Sequence, residues 1–428
     1  MTSSHRKQLA KFGGTPVLSI SSLKRHNPVG PKSIDAALEV LKSGTLSEFV
    51  GEWCEEFYGG TRVKSFEKQC SLKFQSNYSV SVNSWTSGLV AAIGAIGVEP
   101  GDEVITTPYT MSATATSILH WNAIPVFVDI DPRSFNIDVN LIESKISDRT
   151  KAILAVDIYG QPADMDEINK IAKKYQIKVI SDSAQSPGAK YKGKAAGTIA
   201  DIGGYSFNFH KHIHSGEGGI CFTDDPELAE NMQLIRNHAE AVVGKKGHKN
   251  YINMLGHNFR MGEIEAAILS PQLDDLDAIV LRRNKLANLL YESLKECDGL
   301  VLPLQLSDRT HSFYTYAMQI PNPEETGVSR AELAQALKAE GAPISEGYQN
   351  IHMLPVFQKK IAYGSKGFPW SIRSDQNNVS YDRGICPIAE KFHEQTVIAL
   401  GLCTFDFTDV QIEQVGEAFG KVWKHYFG

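Results

Sequence analysis

Short β-branched runs alternate with longer amphipathic stretches between about residue 78 and residue 223. The runs predict strands at 78–82, 103–106, 125–129, 152–157, 178–181, 203–207 and 219–223. Helical patterns lie between most of the early strands, at 87–96, 113–121, 140–145 and 165–175. Strands that alternate with helices are typical of βαβ units, whose parallel sheet is covered by helices on both faces. We therefore predict an α/β fold with a mainly parallel seven-stranded sheet flanked by helices.

The pattern changes after the predicted sheet. Residues 261–270 predict a helix that Pro271 closes, and residues 274–296 predict a long helix with an apolar stripe. From about residue 300, a strand-like run at 312–320 is mixed with helices at 329–340 and 408–426, which predicts a smaller C-terminal α+β domain. We therefore divide the chain into an N-terminal arm at 1–32, a large domain at 33–285 and a small domain at 286–428.

Composition and charge exclude several classes of protein. The net charge of -6 argues against a general affinity for nucleic acid. The longest apolar runs, such as 89–98, are well short of the roughly 20 residues that span a bilayer, and no signal peptide is visible. The six cysteines form no CxxC pair, which indicates a reducing compartment and neither disulfides nor structural zinc. These features predict a soluble, cytoplasmic enzyme that does not bind a membrane.

Three segments carry candidate chemistry, and the first is NSWTSG at residues 83–88, between a predicted strand and a predicted helix. The N–H groups and the dipole at a helix start favour an anion, and Ser and Thr hydroxyls add donors. A phosphate bound here would lie at the carboxyl ends of the strands. An ordinary N-cap explains the same residues equally well.

The second segment is VISDSAQ at residues 179–185. Asp182 follows a buried parallel strand, so its carboxylate points into the crevice at the carboxyl ends of the strands. A buried carboxylate needs a cation or a hydrogen-bond donor as a partner, and a protonated pyridine nitrogen would be one. The alternative is a cap for the following turn.

The third segment runs from residue 206 to residue 219, SFNFHKHIHSGEGG, and carries one lysine among three histidines. A lysine in a dry crevice loses its proton more easily and can then form a Schiff base. One alternative is a metal site, since His210, His212 and His214 alternate as ligands on a strand would. Another is a structural Lys211 beside surface histidines.

Taken together, the three segments supply a phosphate cradle, an anion for a ring nitrogen and an amine for an aldehyde. Pyridoxal 5′-phosphate (PLP) needs these three groups. The chain also resembles the DegT/DnrJ/EryC1/StrS family, the fold-type-I PLP-dependent sugar aminotransferases, from about Lys11 to the C-terminus. The shared motifs are GDEVI at 101–105, GQPADM at 160–165, DSAQ at 182–185, Ser206 and Phe207 followed by Lys211, GEGG at 216–219 and GHNFRM at 256–261.

The resemblance implies roles for individual residues. Lys211 would bind the cofactor covalently and move the proton, and Asp182 would keep the pyridine nitrogen protonated. Gln185 would contact the ring. The resemblance places the phosphate on Trp85, Thr86, Ser206 and, from the second subunit of a homodimer, Asn258. Arg260 would lie near the phosphate and the substrate entrance.

This sequence departs from the family pattern at three places. Trp85 stands where a small residue is common, and Met111 stands where an aromatic ring usually stacks on the cofactor. His210, His212 and His214 surround the lysine where Asn or Thr is more usual, so we expect them to shape the substrate pocket. No metal is expected.

The resemblance implies transfer of an amino group from an amino acid, by analogy L-glutamate, to a keto or aldehyde sugar. The presence of Lys211 favours transamination, because dehydrating relatives carry histidine there. The Trp-Thr-Ser-Gly-Leu and His-Lys-His-Ile-His variants resemble those of relatives that act on eight-carbon keto-sugar acids of lipopolysaccharide. This likeness implies formation of 8-amino-3,8-dideoxy-octulosonate, beside nucleotide-linked keto sugars and aminocyclitols as substrates. The basic residues at 245–249 indicate either an anionic substrate or a solvated loop. A PLP-dependent dehydratase and a non-catalytic regulator are the alternatives.

Overall fold

The computed structural model describes residues 8–373 and 379–428. Its α-helices are α1 (Pro31–Ser43), α2 (Thr61–Phe74), α3 (Trp85–Ala95), α4 (Ala113–His120), α5 (Val139–Ile142), α6 (Met165–Tyr175), α7 (Pro226–Arg236), α8 (Ala239–Lys246), α9 (Glu263–Leu294), α10 (Pro323–Thr326), α11 (Arg330–Ala339), α12 (Pro355–Gln358), α13 (Pro387–Lys391) and α14 (Asp409–Tyr426). Its strands are β1 (Tyr78–Val82), β2 (Glu103–Thr106), β3 (Ile124–Phe127), β4 (Thr150–Val156), β5 (Lys178–Asp182), β6 (Lys190–Tyr191), β7 (Lys194–Ala195), β8 (Ile202–Ser206), β9 (Gly219–Thr223), β10 (Arg309–Thr310), β11 (Tyr316–Gln319), β12 (Ile344–Ser345) and β13 (Val397–Leu400).

A seven-stranded sheet forms the centre of the large domain, in the order β1-β9-β8-β5-β4-β2-β3. Strand β9 runs antiparallel to both of its neighbours, and the other strands are parallel to one another. The predicted fold class is confirmed, and each predicted strand lies within two residues of an observed one. Strands β2, β3, β8 and β9 are buried along their whole length, so neither face of these strands meets water.

Helices cover both faces of this sheet. Leu89 of α3 and Ile235 of α7 share one buried apolar cluster with Val80 of β1. Phe66 of α2 and Leu273 of α9 lie in another, with aromatic residues of β8 and β9. The sheet is therefore shielded from water on either side, as its hydrophobic sequence requires.

Helix α9 is one continuous element that contains Pro271, so the predicted helix end at this residue is wrong. A proline inside a helix costs about 3 kcal/mol. Packing of α9 against α1, α2 and α14 along its length offsets this cost. The predicted domain boundary at residue 285 lies inside α9, whose last turns bury Leu286 and Leu290 in the C-terminal core.

The C-terminal part is an α+β unit built on the antiparallel sheet β11-β13-β12. Helices α11 and α14 pack on this sheet in one apolar cluster, which also takes Leu9 and Leu18 of the N-terminal arm. No helix of the described residues is both long and apolar enough to cross a membrane.

Candidate active site

A cavity of about 330 Å³ opens at the carboxyl ends of β1, β5 and β8. Its volume lies within the range of small-ligand sites. Eight of the predicted site residues line it, namely Trp85, Thr86, Met111, Asp182, Gln185, Ser206, His210 and Lys211. The topology therefore brings all three predicted segments to one place, as the parallel sheet requires.

The cavity contains the start of helix α3. Ser84 is the N-cap, and its hydroxyl oxygen accepts the backbone N–H of Ser87 at 3.1 Å. Trp85 and Thr86 are the first two residues of the helix, where N–H groups lack intrahelical acceptors. Ser206, at the end of β8, adds a hydroxyl to the same cavity. This arrangement can hold a phosphate by backbone donors and the helix dipole.

The carboxylate of Asp182 forms another part of the cavity wall and is 4% exposed. Its Oδ1 accepts the indole N–H of Trp85 at 2.7 Å, and its Oδ2 accepts the Thr114 hydroxyl at 2.7 Å. Burial raises the pKa of Asp182, while these hydrogen bonds and the charge of Lys211 oppose the rise. The neutral donors thus offset part of the cost of burying this anion.

Lys211 lies in the loop after β8 and is 6% exposed. Its Nζ is 4.3 Å from the centre of the Tyr314 ring. Burial lowers the pKa of Lys211 to about 8, although the charge of Asp182 acts in the opposite direction. The neutral, nucleophilic form of this amine is therefore far more abundant near neutral pH than that of an exposed lysine.

Two tyrosines of the C-terminal part complete the cavity and were not predicted. Tyr314 covers Lys211, and the hydroxyl of Tyr348 accepts the side-chain amide of Gln185 at 2.7 Å. The amide oxygen of Gln185 accepts the backbone N–H of Tyr159 at 2.7 Å. The sequence signal for Tyr314 was the aromatic-rich run inside the predicted strand at 312–320, which gives no indication of a site.

The three histidines have different environments. His210 lines the cavity, and burial lowers its pKa to about 4. His212 is fully buried outside the cavity lining, with Nε2 2.9 Å from the carbonyl oxygen of Ser312. The backbone of His214 bonds to the side chain of Gln272. In the part of the chain that the structure describes, no three His, Cys, Asp or Glu side chains form a metal site.

Asn258 and Arg260 do not line the cavity of their own chain. Asn258 is exposed, and its side-chain oxygen accepts the Nε–H of Arg260 at 2.7 Å. Met111 is 58% exposed at the cavity mouth. In the basic stretch, Lys246 pairs with Glu230 and lies over the Trp53 ring, so this lysine is held by its own chain.

The sequence profile of the DegT/DnrJ/EryC1/StrS aminotransferase family matches residues 44–399. The chain belongs to this family. It is 34% identical to the "Pleiotropic regulatory protein" of Geobacillus stearothermophilus, over 96% of this chain and 99% of that one. It is 33% identical to GDP-perosamine synthase of Caulobacter vibrioides, over 76% and 83% of the two chains. The X-ray structure of the aminotransferase from Psychrobacter cryohalolentis matches with a TM-score of 0.77 and 26% identity, over 93% and 98%.

Membership confirms the predicted enzyme class and cofactor. The family consists of PLP-dependent transaminases that act in sugar metabolism, and PLP is the cofactor of this chain. The cavity fits that group, since it combines a helix start for a phosphate, a buried carboxylate for a ring nitrogen and a buried amine for an aldehyde. Each of the three reaches the cavity from a different sheet strand.

Proposed function

We propose that this enzyme transfers the amino group of L-glutamate to the carbonyl carbon of a keto or aldehyde sugar. The observation that carries the proposal is the buried Lys211, whose amine shares one cavity with Asp182 and the start of α3. A buried amine with a lowered pKa beside an anion is typical of a group that forms covalent bonds and transfers protons.

Bound PLP supplies an aldehyde and a ring that accepts the electrons released when a proton leaves the amino-bearing carbon. Lys211 would hold the cofactor through its aldehyde carbon and, as a free amine, would move that proton from the amino-bearing carbon of the donor to the former aldehyde carbon. Asp182 holds a proton on the ring nitrogen through its negative charge. The helix start at Trp85 and Thr86, with Ser206, fixes the phosphate and so orients the ring.

We further propose that the sugar lies on the side of the cavity formed by Met111, His210 and the two tyrosines. His210 is neutral at pH 7 because burial lowers its pKa to about 4, so it offers hydrogen bonds to hydroxyl groups rather than charge. This favours a neutral part of the sugar near the reacting carbon. The specific candidate is formation of 8-amino-3,8-dideoxy-octulosonate, and nucleotide-linked keto sugars and aminocyclitols are the competing substrates.

The proposed working form is a homodimer, with Asn258 and Arg260 of one copy completing the cavity of the other. Their position outside their own cavity supports this arrangement. Exposed apolar residues on α1, at Ile34, Leu38 and Leu41, offer a surface for the second copy. The six cysteines are all free thiols, which supports a reducing, cytoplasmic location.

The test is an assay of keto sugars with L-glutamate as donor, in which formation of 2-oxoglutarate and of the amino sugar is measured. L-Glutamine is compared as a second donor. We expect Lys211→Ala to lower turnover by at least about 10³-fold, because covalent binding and proton transfer are both lost. Lys173→Ala, an exposed lysine on α6, is the matched control and should retain activity.

Other outcomes identify the alternatives. Loss of water from the sugar with release of ammonia, and without a net amino acceptor, would indicate a dehydratase. Cofactor binding without turnover of any sugar would indicate a regulator. Full activity in Lys211→Ala would overturn the proposed role of this lysine.

A further inference from the structure

Trp85 belongs to the lining of the cavity and is 4% exposed. Its indole Nε1 donates to Oδ1 of Asp182 at 2.7 Å. The hydrogen bond joins the first residue of α3 to the last residue of β5. Trp85 therefore contacts the carboxylate of the site with its side chain, in addition to placing its backbone N–H at the start of the helix.

Two glycines make room for the indole ring. A Cβ atom at Gly88 would lie 2.7 Å from Cε3 of Trp85, and one at Gly204 would lie 2.2 Å from Cζ3. Neither position could carry a larger side chain without displacing the ring. The indole is thus enclosed by α3 and β8, and this packing fixes the direction of its N–H.

The hydrogen bonds to Asp182 leave room for one further partner. An ionised carboxylate has about four acceptor positions. Trp85, Thr114 and the backbone N–H of Ala184 use three of them, at 2.7, 2.7 and 3.3 Å. Because Asp182 lines the cavity, its fourth acceptor position can take a donor from a bound molecule.

We propose that Trp85 is a positioning residue, whose indole N–H orients the Asp182 carboxylate and stabilises its negative charge toward the ring nitrogen of PLP. This inference rests on the proposed function, since it assigns Asp182 to the ring nitrogen. A neutral donor suits this task because it stabilises the anion without neutralising it, as a cation at 2.7 Å would.

The test uses the full-length protein loaded with ¹⁵N-labelled PLP, and Trp85→Phe as the variant. The ¹⁵N shift of the ring nitrogen reports its protonation directly. We expect the pH midpoint at which this nitrogen loses its proton to fall by about one unit in Trp85→Phe, and PLP to bind about 10- to 100-fold more weakly.

Trp121→Phe is the matched control. Trp121 belongs to the same apolar cluster, and its indole donates to the backbone oxygen of Val90. The control should lose stability without moving the ring-nitrogen midpoint. A midpoint in Trp85→Phe that equals that of the wild type would overturn the inference.

A second variant keeps the inference testable if Trp85→Phe does not fold. A tryptophan analogue in which sulfur replaces the indole N–H keeps the ring shape, and at position 85 it should give the same fall in midpoint. An unchanged midpoint with this analogue would likewise refute the role of the N–H. If the wild type itself takes up no PLP, the proposed function fails. If the wild type binds PLP and the variants keep its ring-nitrogen midpoint, the inference alone fails.

Discussion

At Lys211, burial and neighbouring charge act in opposite directions. An exposed lysine has a pKa near 10.4 and is almost fully charged at neutral pH. Burial lowers the pKa of Lys211 to about 8, and the charge of Asp182 limits the fall. The balance leaves an amine that is reactive in the cell yet close to an anion that attracts its charged form.

This balance predicts the pH dependence of cofactor uptake by the apoprotein. The neutral amine is the nucleophile, so the rate of covalent binding of PLP should rise with pH with a midpoint near 8. Stopped-flow absorbance near 400 nm measures this rate. In Asp182→Asn the midpoint should move to lower pH, because the charge that raises the pKa of Lys211 is removed. A midpoint above 10 in the wild type would contradict the prediction.

The three histidines around this lysine show how residues of one type acquire different roles. The alternating pattern assigned the same candidate roles to all three histidines, either shaping the pocket or binding a metal. In the fold, His210 lines the cavity, whereas His212 is fixed by the carbonyl oxygen of Ser312 outside the lining. Nothing local distinguishes them, since the difference depends on residues about 100 positions away.

At the scale of elements, helix α3 shows why a glycine is needed beside a large buried side chain. From Gly88 to Ala95 every residue is buried, because the helix lies between the sheet and helices α4 and α7. A glycine inside a helix normally costs about 1 kcal/mol relative to alanine. Gly88 is used here because the Trp85 ring occupies the space of a Cβ atom.

A double-mutant cycle tests this packing. Gly88→Ala alone should lower the free energy of unfolding by about 1–3 kcal/mol through overpacking. In a Trp85→Ala background the same change should cost much less, since the clash with the ring is gone, alanine favours the helix and the remaining close contact is Cys221 Sγ at 3.2 Å. Urea unfolding measures both values.

Gly420→Ala on α14 is the control for this cycle, because a Cβ there meets no atom within 4 Å. It should be neutral or stabilising in either background. Equal destabilisation by Gly88→Ala with and without the indole would show that Trp85 is not the obstacle.

On the scale of the whole molecule, the cavity combines parts from distant regions of the chain. The proposed phosphate donors come from α3, the carboxylate from β5, the lysine from the loop after β8, and Tyr314 and Tyr348 from the C-terminal part. Helix α9 connects the two parts and contributes to the core of each. The arrangement of these parts therefore decides whether the cavity is closed.

The proposed homodimer gives a prediction at this scale. Leu38→Asp together with Leu41→Asp should convert a dimer into a monomer, since both leucines are exposed on α1 and a charge there opposes apolar contact. Sedimentation velocity measures the mass. PLP affinity should fall as well, because Asn258 would no longer reach a second cavity.

Val410→Asp, at an exposed apolar position on α14, is the control and should leave the mass unchanged. A wild-type protein that sediments as a monomer and binds PLP fully would refute both the dimer and the role given to Asn258.

The sequence by itself determined the large-domain sheet and the three segments that meet at its strand ends. These features are local: β-branched runs form strands, Asp182 ends one strand, Lys211 follows another, and parallel strands bring their carboxyl ends together. Tertiary structure alone decided the rest. Pro271 stays helical because α9 packs against α1, α2 and α14. Trp85 turns its side chain to Asp182, and Tyr314 covers Lys211, because residues far apart in the chain pack together.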